Sequence, residues 1–130
     1  MTYQMTFNAE LEIIEVNLSG NISVLDVREI VNEGVILSKQ TNCRSILGDF
    51  RQVTLRMDLM DIHDLPKLVA SLVGSGLAGF KRAVVVQHES EYYKYAENIF
   101  RNRYHDMRIF TDMDEARNWL APNKAMAAKP

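Results

Sequence analysis

The stretch Lys81-Arg82-Ala83-Val84-Val85-Val86-Gln87 decides the fold. Three valines in a row break the alternation of a half-buried strand and give the pattern of a parallel strand covered on both faces. Parallel neighbours are joined by crossovers, usually helical, so helices must flank this strand in the chain. They do. Upstream, residues 57–73 place Leu59, Ile62, Leu65, Leu68, Val69 and Leu72 at helical spacing. Proline costs about 3 kcal/mol in a helix interior, so Pro66 predicts that this helix begins, or restarts, at Asp64. Downstream, Ser90 is the N-cap of a helix reaching Tyr104, with Tyr92, Ala96, Ile99 and Phe100 inward. A strand at 107–110 follows. Asp112, three residues before Glu115, opens a capping box for a last helix over 113–120.

Toward the N-terminus, Ile46-Leu47-Gly48, closed by Asp49, predicts a short buried strand over 45–50. Before it, Ser23 caps a helix with Val27, Ile30, Val31, Gly34 and Leu37 on one stripe, and Thr41-Asn42 ends it. Residues 3–7 alternate Tyr3, Met5 and Phe7 against polar residues, and Ile14, Val16 and Leu18 share one face of residues 11–18. These read as a hairpin, after which Ser19-Gly20-Asn21 breaks the pattern. The order β-β-α-β-α-β-α-β-α predicts a single α/β domain over residues 1–121, with a mixed, mostly parallel five-stranded sheet and about four helices. Residues 122–130 have no periodicity and are expected to be a disordered tail.

Composition sets outer bounds. With 130 residues, 47% hydrophobic and 25% charged, the chain is an ordinary globular domain. It has no apolar run near the roughly 18 residues of a transmembrane segment, and Met1-Thr-Tyr-Gln-Met-Thr6 lacks the features of a signal peptide. The lone cysteine, Cys43, forms no internal disulfide and fits a reducing, cytoplasmic setting, where it reads as a small packed residue. Net charge is −2, and residues 66–130 carry 10 basic and 7 acidic side chains, too mild a bias for nucleic acid.

Catalytic patterns are missing. Gly74-Ser-Gly-Leu-Ala-Gly79 spells a dinucleotide fingerprint, but it follows a helix and precedes a strand, so it reads as a helix C-cap and loop. His63, His88 and His105 lie far apart, with no metal-ligand spacing. Tyr92, Tyr93 and Tyr95 read as packing residues, with Tyr93 turned away from the other two. In parallel α/β sheets ligands gather beyond the carboxyl ends of strands, beside helix N-termini. That geometry selects Asp49, Arg51, Thr54, His88 and Ser90 as the candidate partner- or ligand-binding residues.

Four stretches together resemble the SpoIIAA-like group of the STAS superfamily: Val16-Asn-Leu-Ser-Gly-Asn-Ile-Ser23, Ser45-Ile-Leu-Gly-Asp-Phe-Arg-Gln-Val-Thr54, Lys81-Arg-Ala-Val-Val-Val-Gln87 and Arg108-Ile-Phe-Thr-Asp-Met-Asp-Glu-Ala-Arg-Asn-Trp-Leu120. The resemblance implies a cofactor-free, non-enzymatic regulatory module that binds other proteins, such as anti-sigma factors, and is switched by phosphorylation of a serine. Where that Asp-Ser-Ser/Thr-Gly-type motif stands, this chain has Asp49 and no serine-glycine pair, and Thr54 is the nearest hydroxyl. A protein partner is the expectation, with self-association into a homodimer as a further option. The superfamily's likeness to the Sec14 type implies an alternative, a carrier of a small apolar ligand or lipid. An unrecognised hydrolase stands third. A carrier should hold a pocket lined by apolar side chains; a partner-binding module should be solidly packed.

Overall fold

A computed structural model describes residues 1–120; the expected tail at 122–130 lies outside the described residues. The elements are β1 (Thr2–Asn8), β2 (Ile13–Ile22), α1 (Val24–Thr41), β3 (Ser45–Leu55), α2 (Leu59–Val73), a 3-10 helix (Gly74–Gly79), β4 (Lys81–Val85), α3 (Glu91–Asn102), β5 (Asp106–Phe110) and α4 (Met113–Leu120). The five strands lie in chain order across one sheet. β1 pairs antiparallel with β2, and every later pair is parallel. The predicted α/β order is the observed one.

That order fixes the layers. Each parallel crossover steps in the same direction, and such crossovers are right-handed in about 98% of cases. Helices α1, α2 and α3 therefore share one face of the sheet. Ile14, Val16 and Leu18 of β2 meet α1 there, and Ile62, Leu65 and Val69 of α2 pack with Ala96 and Phe100 of α3 and Met107 of β5. On the other face, among the described residues, α4 is the one helix, and its Ala116 and Leu120 close over Ile13, Leu47, Ala83 and Val85. Cys43 is buried, and its thiol donates to the Glu12 carbonyl at 3.1 Å.

Local signals hold at most ends. Ser23 and Asp26 form a capping box for α1, Ser90 caps α3 by accepting from the Tyr93 N–H, and Asn42 closes α1 in a left-handed conformation. Three boundaries differ from expectation. Helix α2 begins at Leu59, not at Asp64, because Asp58 and Asp61 form a reciprocal capping box that fixes the earlier start. Pro66 stays inside the helix, where its fully buried ring offsets the lost hydrogen bond. The other two concern the sheet: β2 continues through Ser19-Gly20-Asn21 to Ile22, and β3 continues past Phe50 to Leu55. Each extension supplies the other's ladder, Ser19 opposite Gln52 through Ile22 opposite Leu55. A register shift between Asn17 and Ser19 precedes this two-stranded ribbon, which runs beyond the end of β4 at Val85.

Both sheet edges are handled differently. Among the described residues no strand pairs with the outer edge of β1, whereas the Ile109 N–H of edge strand β5 donates to the Glu97 carboxylate at 2.6 Å, which blunts that edge. Trp119 is half-buried against Phe110, with Lys81 Nζ 4.3 Å from its ring centroid. A fully buried tryptophan would lose 3–5 kcal/mol on truncation; half-burial lowers the expected cost of Trp119→Ala to about 2 kcal/mol, read from urea denaturation midpoints. A variant that unfolds at the parent's midpoint would show that the ring contributes no packing.

Candidate functional site

Two places in the fold can bind, one on each face of the sheet. The first lies between the sheet and the three helices, a cavity of about 210 Å³. Its walls are apolar almost throughout: Val16, Leu18, Ile46 and Phe50 from the sheet, Val27 and Val31 from α1, Leu65 and Val69 from α2. Two glycines line it. Gly34 of α1 is buried against the sheet, and a Cβ added there would meet only the tip of Met5, at 4.0 Å. Gly48 of β3 also lines the cavity, and a Cβ there would come within 2.9 Å of the Phe50 ring. Glycine thus lets Phe50 fold over the strand.

One charged residue belongs to this apolar wall. Arg82 of β4 lines the cavity, stacks over the Phe100 ring at 5.4 Å and donates from Nη2 to Nδ1 of His105 at 2.5 Å. Its Nε–H is buried and has no acceptor. His105 is buried edge-on against Phe100, 5.1 Å between centroids, with the backbone of Pro66 beside it. An imidazole that accepts the Arg82 N–H on Nδ1 is neutral, with its own proton on Nε2. Burial first, then the nearby Arg82 charge, holds its pKa down to about 4. Burial likewise lowers Arg82 to about 10. The hydroxyls of α3 respond the same way: burial raises Tyr93, which lines the cavity, and raises Tyr92 to about 12. Tyr93 therefore does not turn away from its neighbours; its ring meets that of Tyr92 edge-on at 5.7 Å.

The second place is the strip of the opposite face that α4 leaves uncovered. Glu15, Asp49 and Arg51 stand there beside Arg117 of α4. Arg51 grips Asp49 with two bonds of 2.9 Å, and Arg117 Nε reaches Glu15 at 3.2 Å. The hydrogen bond from Arg51 and its charge hold the Asp49 carboxyl below its usual range.

The five residues selected from the sequence do not converge. Asp49 and Arg51 meet each other, but within β3 and not at its end. Thr54 is exposed on the two-stranded ribbon opposite Asn21. His88 is exposed in the loop after β4, and Ser90 is engaged as the cap of α3. Among the described residues no hydrogen bond joins Thr54, His88 or Ser90 to the Asp49–Arg51 pair. Arg82, His105 and the glycine pair are the residues that sequence reading did not single out. Strand parity was the available signal: in a strand covered on both faces, an arginine two positions before Val84 faces the helices. Among the described residues, no group of three or more histidine, cysteine, aspartate or glutamate side chains is placed to hold a metal ion. No helix among them is long and apolar enough to cross a membrane.

No protein-family model matches the chain, and no curated protein matches it. Solved structures do. The anti-sigma factor antagonist SpoIIAA in its unphosphorylated form aligns with 98% of this chain and 100% of its own, at a TM-score of 0.55 and 11% identity. The fold is SpoIIAA-like. An uncharacterised protein with a SpoIIAA-like fold from Shewanella loihica PV-4 aligns over 92% of each chain, at a TM-score of 0.56 and 16% identity. The Bacillus cell fate determinant SpoIIAA in its phosphorylated form covers 91% of this chain and 98% of its own, at 0.51 and 15%. This chain therefore has the SpoIIAA-like fold that its sequence resembles.

The His105 environment has a measurable consequence. Its folded pKa of about 4 lies below the ordinary 6.5 of the unfolded chain. Between these values the unfolded state binds the extra proton, so stability is full above pH 6.5 and falls as pH drops toward 4. From pH 7 to pH 5 the unfolding free energy should fall by about 2 kcal/mol, and His105→Gln should remove that share of the slope. Urea titrations at the two pH values check it; equal slopes in both proteins would place the proton elsewhere.

Proposed function

We propose that this SpoIIAA-like domain is a non-enzymatic binding module whose interior cavity takes a small apolar ligand. The observation that carries the reading is the 210 Å³ of apolar space between the sheet and α1–α3. Protein interiors pack as densely as organic crystals, and voids larger than a water molecule are few. An apolar space of this size leaves its lining side chains without part of the dispersion contacts that a packed interior supplies. A ligand that fills it restores lost contacts and stabilises the fold by mass action. The non-enzymatic part rests on the chemistry of the walls, which pair no nucleophile with a base.

Benzene is a suitable first probe, since an engineered apolar cavity of about 150 Å³ binds it. Titrated into the labelled protein, it should shift the NMR signals of Ile62, Val69 and Met107. Gly34→Leu, whose side chain enters the cavity, should abolish those shifts while leaving the fold intact. Shifts confined to surface residues, or unchanged in Gly34→Leu, would sink the reading.

A second reading is favoured by the uncovered strip beside α4. There a protein partner would meet the Asp49–Arg51 pair, with Thr54, His88 and the Ser90 helix start as the further contact residues of the same proposal. Support comes from the two-pronged Arg51 guanidinium, poised to exchange its local carboxylate for a partner's. Left alone, an exposed pair of this kind is worth about 0–1 kcal/mol. An Arg51→Ala/His88→Ala double variant that melts normally should recover less of a partner from cell extract than the parent does. Equal recovery would remove this surface from consideration.

A further inference from the structure

We infer that the ligand of the cavity is a small carboxylic acid of about eight carbons, its carboxylate held by Arg82; this rests on the cavity reading above. The argument starts from charge. Arg82 is half-buried as a residue, but its Nε lies fully inside, and a buried charged donor is costly unless a counter-charge and an acceptor meet it. Among the described residues it has neither. Among the described residues no carboxylate lies within ion-pair distance of it: the ion pairs present are Arg51–Asp49, His63–Asp64 and Arg117–Glu15. Asp106 attracts it only from a distance. Its one hydrogen-bond partner, His105, is a neutral ring that offers a lone pair and no charge. Its Nε–H meets nothing. The Phe100 face spreads some of the charge but accepts no hydrogen bond in the guanidinium plane. A cationic fork with surplus donors, set in the wall of an apolar cavity, is complementary to an apolar body ending in a carboxylate.

Size narrows the class. If about 150 Å³ accepts the six carbons of benzene, the 210 Å³ here accepts about eight, so a medium-chain or aromatic acid fits and a long-chain fatty acid does not. The surface next to the cavity has the same preference. Val73 and Phe80 line both the cavity and a neighbouring polar crevice whose walls include Lys39 and Arg44. Two cations so placed raise the local concentration of an anion and repel a cation.

The test uses the whole chain and three probes that share one alkyl body: octanoate, 1-octanol and octylamine, each titrated calorimetrically at pH 7. Octanoate should bind at least tenfold more tightly than octanol, and octylamine more weakly than either. Arg82→Met should bring octanoate down to the octanol affinity and change octanol less than twofold, while Arg82→Lys should keep a preference for the acid. If Arg82→Met does not fold, the ranking of the three probes on the parent protein decides alone. Octanol equal to octanoate on the parent, or octanoate unaffected in Arg82→Met, overturns the carboxylate inference while benzene binding leaves the cavity reading standing. If neither benzene nor any of the three binds, or if Gly34→Leu binds them as the parent does, the cavity reading falls and this inference with it.

Discussion

The handedness of parallel crossovers governs this molecule. Because the strands lie in chain order, three successive right-handed crossovers have no choice but to stack α1, α2 and α3 on one face. Among the described residues the opposite face carries one eight-residue helix, α4, which closes over Ile13 of β2 and over β3, β4 and β5 but leaves Asp49 and Arg51 beside it. Everything functional follows from that imbalance. The crowded face has three helices to seat against a twisted sheet, and small residues there leave an apolar space. The sparse face keeps polar side chains, Glu15, Asp49 and Arg51, which would be ruinous in the interior and are satisfied here by one another and by Arg117.

The interior shows how local concessions combine. Gly34 gives up helix propensity worth roughly 0.5–1 kcal/mol relative to alanine. Pro66 gives up a helical hydrogen bond, and Arg82 carries a charge into an apolar wall. Pro66 is offset by the burial of its own ring, whereas the partner of Arg82 comes from far along the chain: β4 and β5 pair with Arg82 opposite Met107, which brings His105, just before β5, up to the guanidinium. A neutral imidazole suits the position because a second cation beside Arg82 would have no counter-charge.

Much of the fold could be read from residues whose reasons are local. The valine triplet required a covered parallel strand, and the caps at Ser23, Ser90 and Asp112 stated where helices begin. What escaped reading was decided by partners distant in sequence. Ser19-Gly20-Asn21 looks like a turn, and by composition it is one; it stays extended only because Gln52, Val53 and Thr54 stand opposite it. The same pairing carried β3 past Asp49, so the rim of strand ends inferred for Asp49, Arg51 and His88 is, for the first two, the middle of a strand. Pro66 argued for a later helix start, and the Asp58–Asp61 box overrode it from eight residues upstream. The cavity was hidden for a subtler reason. Gly34 falls on the apolar stripe in any helical reading, but its meaning depends on the sheet it packs over, a fact of packing that no single element contains.

The alternation of β3 ties the two candidate sites together more closely than their positions on opposite faces suggest. Gly48 and Phe50 face the cavity, while Asp49 between them faces the uncovered strip. Three consecutive residues therefore serve both surfaces, and Arg51 follows where the β2–β3 register has slipped by one. A side chain added at Gly48 would push first on the Phe50 ring and, through the backbone between them, on the carboxylate that Arg51 holds. Changes on β3 consequently confound the two sites, whereas changes on the elements that touch only one of them separate the effects. Gly34 on α1 and Arg82 on β4 belong to the cavity alone, and His88 lies on a loop outside it. The physical independence of those positions, not their proximity to a ligand, is what makes their substitutions informative.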